Sequence, residues 1–161
     1  MVTPETLAES FGLNVRIMRM QADGLSHEDS LLQPTVRGNC MNWVLGHILH
    51  SRNRIVTMLG GALDVQEDAL DRYRSGSEPV TTDEGGLLRL EDLLEYIQAS
   101  QRVIDQRLPG LTQEDLERLV GNGDRSQAFG TALFGVYFHD TYHTGQLEFL
   151  RQLTGVGDKV I

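Results

Sequence analysis

His139-Asp140-Thr141-Tyr142-His143-Thr144-Gly145-Gln146 lies inside a longer segment, residues 127–153, whose apolar positions repeat at helical spacing. At a step of about 100° per residue, Phe129, Ala132, Leu133, Val136, Leu147 and Leu150 form one stripe. His139 and His143 are four residues apart, so their rings lie one above the other on that helix. The same periodicity points both rings into the stripe and away from the wet face. A buried ring nitrogen without a partner costs about 1–3 kcal/mol. One metal ion shared between the rings satisfies both. The competing reading is a pair of core histidines hydrogen-bonded to their neighbours.

Three further amphipathic segments precede this one. Thr3 and Pro4 read as the cap and first residue of a helix whose buried face is Leu7, Phe11, Val15 and Met18, stopped by Asp23-Gly24. After a polar stretch containing Pro34, Asn39 reads as the cap of a second helix running to about Leu59. Its stripe is Met41, Leu45, Ile48, Ile55, Val56 and Leu59, with Arg52 on the same face as a buried or end-of-bundle ion pair, or alternatively as a contact for an anionic substrate group. Residues 63–82 read as a long crossover loop. Thr81 and Glu84 have capping-box spacing, and a third helix carries Leu87, Leu90, Leu94, Ile97, Ile104 and Leu108, interrupted by Gln101. A short helical turn is expected over 113–119, followed by a flexible Gly121–Asp124 link, and no strand is expected. The fold class is therefore all-α: a four-helix bundle in one domain, 1–161.

Composition narrows the partners. The chain has 14 Lys and Arg against 23 Asp and Glu, a net charge of −9. That balance argues against nucleic acid and against an anionic membrane surface, and no apolar run reaches the roughly 20 residues of a membrane span. A single cysteine, Cys40, and the lack of signal-peptide character at the start lead to the expectation of a cytoplasmic protein. Cys40 itself reads as a small buried residue; a thiol activated by the helix start is the weaker alternative.

Two histidines rarely complete a metal site. His27 reads as an exposed loop residue, and periodicity separates His47 and His50 on the second helix only weakly. Gly46 beside His47 would let another helix or a ligand approach closely. Asn-Trp-x-x-Gly-His over Asn42–His47, paired with His-x-x-x-His-x-Gly-Gln over His139–Gln146, resembles the DinB/YfiT-like metalloenzyme family over nearly the whole chain. The resemblance implies a four-helix bundle of up-up-down-down order with long crossovers. It also implies a divalent metal held by His47, His139 and His143, and a homodimer. His50 has no ligand role in the family pattern. Asp140, Gln146 and Glu148 are candidates to orient the ligand rings.

Three histidines leave the charge of a metal little quenched and keep a coordination position open. The family's chemistry then implies an enzyme acting on a small-molecule substrate, with attack on an electrophile by a low-molecular-weight thiol as its cofactor. The alternatives are a metal-hydroxide hydrolase and a non-catalytic, stress-related metal-binding protein. Nitrogen ligands accept zinc or nickel, and also iron or manganese. A zincin peptidase is disfavoured, because Asp140 stands where His-Glu-x-x-His needs glutamate.

Overall fold

A computed structural model of the chain describes residues 3–83 and 86–156, with Arg125 described by its backbone alone. Four long helices dominate it: α1 (Pro4–Ala22), α3 (Met41–Met58), α5 (Leu90–Arg107) and α7 (Phe129–Gln152). Short helices α2 (His27–Ser30), α4 (Glu67–Asp71) and α6 (Gln113–Glu117) lie in the connections.

Helix starts follow local chemistry in some places and tertiary contacts in others. The Thr3 hydroxyl accepts from the Thr6 amide at 3.2 Å, as its sequence suggests, and Gly24 leaves the helix at φ 72°. Asn39 does not cap α3; Cys40 occupies that position without a side-chain bond to the helix. For α5 the expected capping box falls partly outside the described residues, at Glu84, and the helix begins only at Leu90. Its first amide donates instead to Nδ1 of His27 at 3.2 Å. His27 is thus a buried cap supplied from another helix and not an exposed loop residue. The link before α7 contains a two-stranded antiparallel ladder, β1 (Leu119–Val120) with β2 (Gln127–Ala128), where no strand was expected.

Cross-helix pairs fix the directions. Asn14 meets Thr141 and the Gln21 carbonyl meets Arg151, so α1 and α7 run parallel. Asn42 meets the Leu88 carbonyl, just before α5, and Arg107 meets the Leu59 carbonyl, so α3 and α5 also run parallel. Gln101 bonds the Ala8 carbonyl while His27, beyond the end of α1, caps the start of α5, so these two pairs oppose each other. Two helices point each way, as expected, but the order along the chain is up, down, down, up. Only the connection between α3 and α5 travels the length of the bundle; the other two long helices are joined to their predecessors at one end.

The core divides into two apolar clusters. One holds Val15, Met18, Val44, Ile48, Ile97 and Leu147; the other holds Phe11, Ile55, Ile104, Phe129 and Leu133. Between them Arg52 lies fully buried on α3. Its guanidinium donates to Asp140 Oδ2 at 2.6 Å, Ser100 Oγ at 2.9 Å, Gln101 Oε1 at 3.1 Å, and the carbonyls of Phe11 and Ile97 at 3.2 and 3.4 Å. The partners come from the other three long helices, so one side chain fixes their relative height. Among the described residues no helix is long and apolar enough to cross a membrane.

Candidate metal centre

His47 on α3 faces His139 and His143 on α7 at the margin of the bundle. Ring nitrogens of the three lie within 4.8 Å of one another. His47 is buried, whereas His139 and His143 are half-buried. The two α7 rings therefore sit at the edge of the apolar stripe, facing α3, and not in the core.

The hydrogen bonds decide which nitrogens are free. Nδ1 of His47 lies 2.7 Å from the Tyr73 carbonyl. A carbonyl only accepts, so Nδ1 carries the proton and Nε2 presents its lone pair. Nδ1 of His143 donates to Gln146 Oε1 at 2.7 Å, which leaves Nε2 of that ring bare as well. Nε2 of His139 approaches Nε2 of His47 to 3.0 Å. Two nitrogens on one tetrahedral zinc, each about 2.0–2.1 Å from it, stand about 3.3 Å apart. Burial, then the neighbouring His143 and His47, pushes His139 down to about 4, and burial also pushes His143 down. The two α7 rings are thus held neutral, as a metal requires. The donor set fits a divalent cation: three nitrogens, two with tautomers fixed from behind by oxygen partners.

The Asn42–His47 motif is explained by one partner, Tyr73, from the crossover after α4. The Leu88 amide donates to the Tyr73 hydroxyl, which donates to Asn42 Oδ1 at 3.2 Å. The Tyr73 ring rests on Gly46, where a Cβ would come within 2.1 Å of ring carbon Cδ1. Burial pushes the Tyr73 phenol up to about 12, so it stays protonated. Trp43 stacks on His47 with ring centres 4.7 Å apart and anchors to Ser77 at 3.0 Å. Gly46 therefore admits neither a helix nor a ligand but a tyrosine 27 residues along the chain, whose backbone then orients His47. The need for close approach was legible at Gly46; the partner was not.

The other singled-out residues sort clearly. Gln146 orients His143. Asp140 turns inward to Arg52, away from the histidines. Glu148 is exposed and does not line the site. Cys40 is buried, its thiol facing the Val80 carbonyl at 3.5 Å and pushed up by burial, so it is a packing residue. His50 lines the same cavity as the three histidines, about 990 Å³ in volume, with its ring held neutral mainly by burial. Sequence reasoning also missed Arg37 and Arg54 in that lining.

Comparison with known proteins agrees with this picture. The chain is similar in fold to the crystal structure of "the conserved protein of locus from Enterococcus faecalis", with a TM-score of 0.72, 14% identity, and coverage of 96% of this chain and 98% of that one. No curated protein matches it. The description of the DinB superfamily matches residues 15–147, which takes in both histidine motifs. A bundle of four long helices with histidines converging from α3 and α7, matched over most of its length, places the chain in the DinB superfamily.

Proposed function

We propose that this protein is a divalent-metal-dependent enzyme of small-molecule chemistry that transfers a low-molecular-weight thiol to an electrophile. The observation that carries the reading is the set of three imidazoles whose ring nitrogens converge at the edge of a 990 Å³ cavity. His47, His139 and His143 would hold the ion, with zinc or nickel the best match to nitrogen donors. Bound there, the ion would supply Lewis acidity and lower the pKa of a thiol brought to it. Structural zinc normally has four protein ligands, and three favour an open position.

The chain's own residues would do the rest. Tyr73 and Gln146 hold two of the rings in position. His50, neutral and in the same cavity, is placed to accept the thiol proton. The sulfur then bonds to the electrophilic carbon, whose leaving group departs with its electron pair. Hydrolysis is the second reading: among the described residues no Asp or Glu lines the cavity, so His50 would also have to serve as the base beside the attacking water.

A cytoplasmic setting is part of the proposal, supported by the lone buried cysteine. So is a homodimer. Phe134 and Phe138, outside the cavity lining, stand on the outer face of α7, each more than half exposed, and Leu13 and Met20 of the adjoining α1 are also exposed. Burial of that face in a second copy would remove an apolar patch that monomers seldom leave open.

Turnover of an electrophile by the zinc- or nickel-loaded protein, with and without added thiols, tests the reading. Thiol-dependent product that disappears in His143→Ala supports it. A hydrolysis product released without thiol, or no turnover across a broad electrophile panel, contradicts it.

A further inference from the structure

The cavity beside the histidines is charged against the grain of the chain. The sequence carries 23 acidic and 14 basic residues. At that composition about three carboxylates would be expected among the residues of the lining. Among the described residues the lining holds none, and it holds two arginines, Arg37 and Arg54.

Those arginines come from separate segments. Arg37 lies in the turn ahead of α3. Arg54 follows His47 by seven residues on α3, two turns along the same face. Both are exposed. The ion pairs among the described residues are His27–Asp83, Arg52–Asp140 and Arg89–Glu91, so neither Arg37 nor Arg54 has an acidic partner. Arg52 shows the contrast: it is an arginine the fold consumes, with five acceptors around it. The guanidinium fork matches a carboxylate with two parallel hydrogen bonds. A positive mouth on an otherwise negative molecule also concentrates anions at the opening.

We propose that the site selects a ligand bearing a carboxylate, which Arg54 and Arg37 hold while the ligand's reacting group reaches the histidines. Arg37 and Arg54 are thus specificity-determining residues for the metal-dependent reaction proposed above, and the inference rests on that reading of the histidines.

The test compares 3-mercaptopropionate with 3-mercaptopropan-1-ol, thiols of equal length that differ in charge. Each is titrated calorimetrically into zinc-loaded wild type and R37Q/R54Q. The ratio of the two affinities, compared between proteins, cancels the thiols' intrinsic difference. The expected result is a ratio that shifts about 10-fold against the carboxylate in the variant, with the neutral thiol's Kd within about twofold of wild type. An unchanged ratio, or an equal loss for both thiols, overturns the proposal.

Zinc content of the same samples separates the two claims. Wild type that takes up zinc but shows a charge-blind ratio overturns the arginine assignment alone. Wild type that takes up neither zinc nor nickel overturns the metal reading, and the arginines are then judged on that metal-free protein by NMR titration with succinate against succinamide. Binding of succinate that R37Q/R54Q abolishes supports them; indifference to charge overturns them.

Discussion

His139 and Asp140 are neighbours on α7, yet they serve opposite ends of the protein's polar chemistry. Asp140 turns inward and is fully buried against Arg52, 2.6 Å away, in a layer that joins all four long helices. His139 turns toward α3 and a cavity, and its Nε2 meets another ring nitrogen, His47 Nε2, at 3.0 Å. The guanidinium of Arg52 has an acceptor for each of its donors. The histidine cluster brings three ring nitrogens together, and two of them, Nε2 of His47 and of His143, present lone pairs to the same space. A polar group whose needs are met inside the protein serves the fold. Ring nitrogens that converge at the edge of a cavity point to something from outside.

The largest expected effect breaks the buried layer. Asp140→Ala leaves the Arg52 charge without its counter-ion and should cost about 3–5 kcal/mol of stability in chemical denaturation. Replacing both partners, as Arg52→Met with Asp140→Leu, should recover a substantial part of that loss. A single variant as stable as wild type would mean that the layer does not organise the bundle.

His139→Ala should do the reverse. Metal affinity should fall by more than about 100-fold, beyond the loss typical of a residue behind the ligands. Stability of the metal-free protein should change by less than about 1 kcal/mol, since a half-buried surface ring is removed. A large stability loss with little effect on metal would reassign the ring to the core.

Gly46→Ala joins the two regions. The new Cβ meets the Tyr73 ring and must displace it. About 1–3 kcal/mol of overpacking is expected, together with weaker metal binding as His47 loses the Tyr73 carbonyl. Metal binding intact in the presence of that strain would show that the crossover does not orient His47. The smallest effect belongs to Gln146→Leu, which should lower metal affinity about 10-fold and leave the denaturation midpoint alone.

Local chemistry made much of this legible from sequence. The Thr3 cap, the four apolar stripes and the His-x-x-x-His spacing are local patterns, and each appears as a local structure. Arg52 on an apolar stripe signalled an ion pair, buried or at the bundle end, or a substrate contact; the structure shows the buried pair, with Asp140. What could not be read depends on residues distant along the chain. His27 caps α5 across 63 residues, and Tyr73 fills the space above Gly46 from an irregular segment. Arg37 and Arg54 look like ordinary surface charges until the fold sets them around one cavity. The up-up-down-down order that the resemblance implies differs from the observed up, down, down, up, which is set by contacts between residues distant along the chain.

Metal content of tag-free protein, measured by elemental analysis after exposure to zinc or nickel and removal of free ion, tests the central claim most directly. The account predicts about one ion per chain in wild type and less than about a tenth of that in His47→Ala, His139→Ala and His143→Ala alike. Wild type without retained metal, or variants that retain as much as wild type, would contradict it.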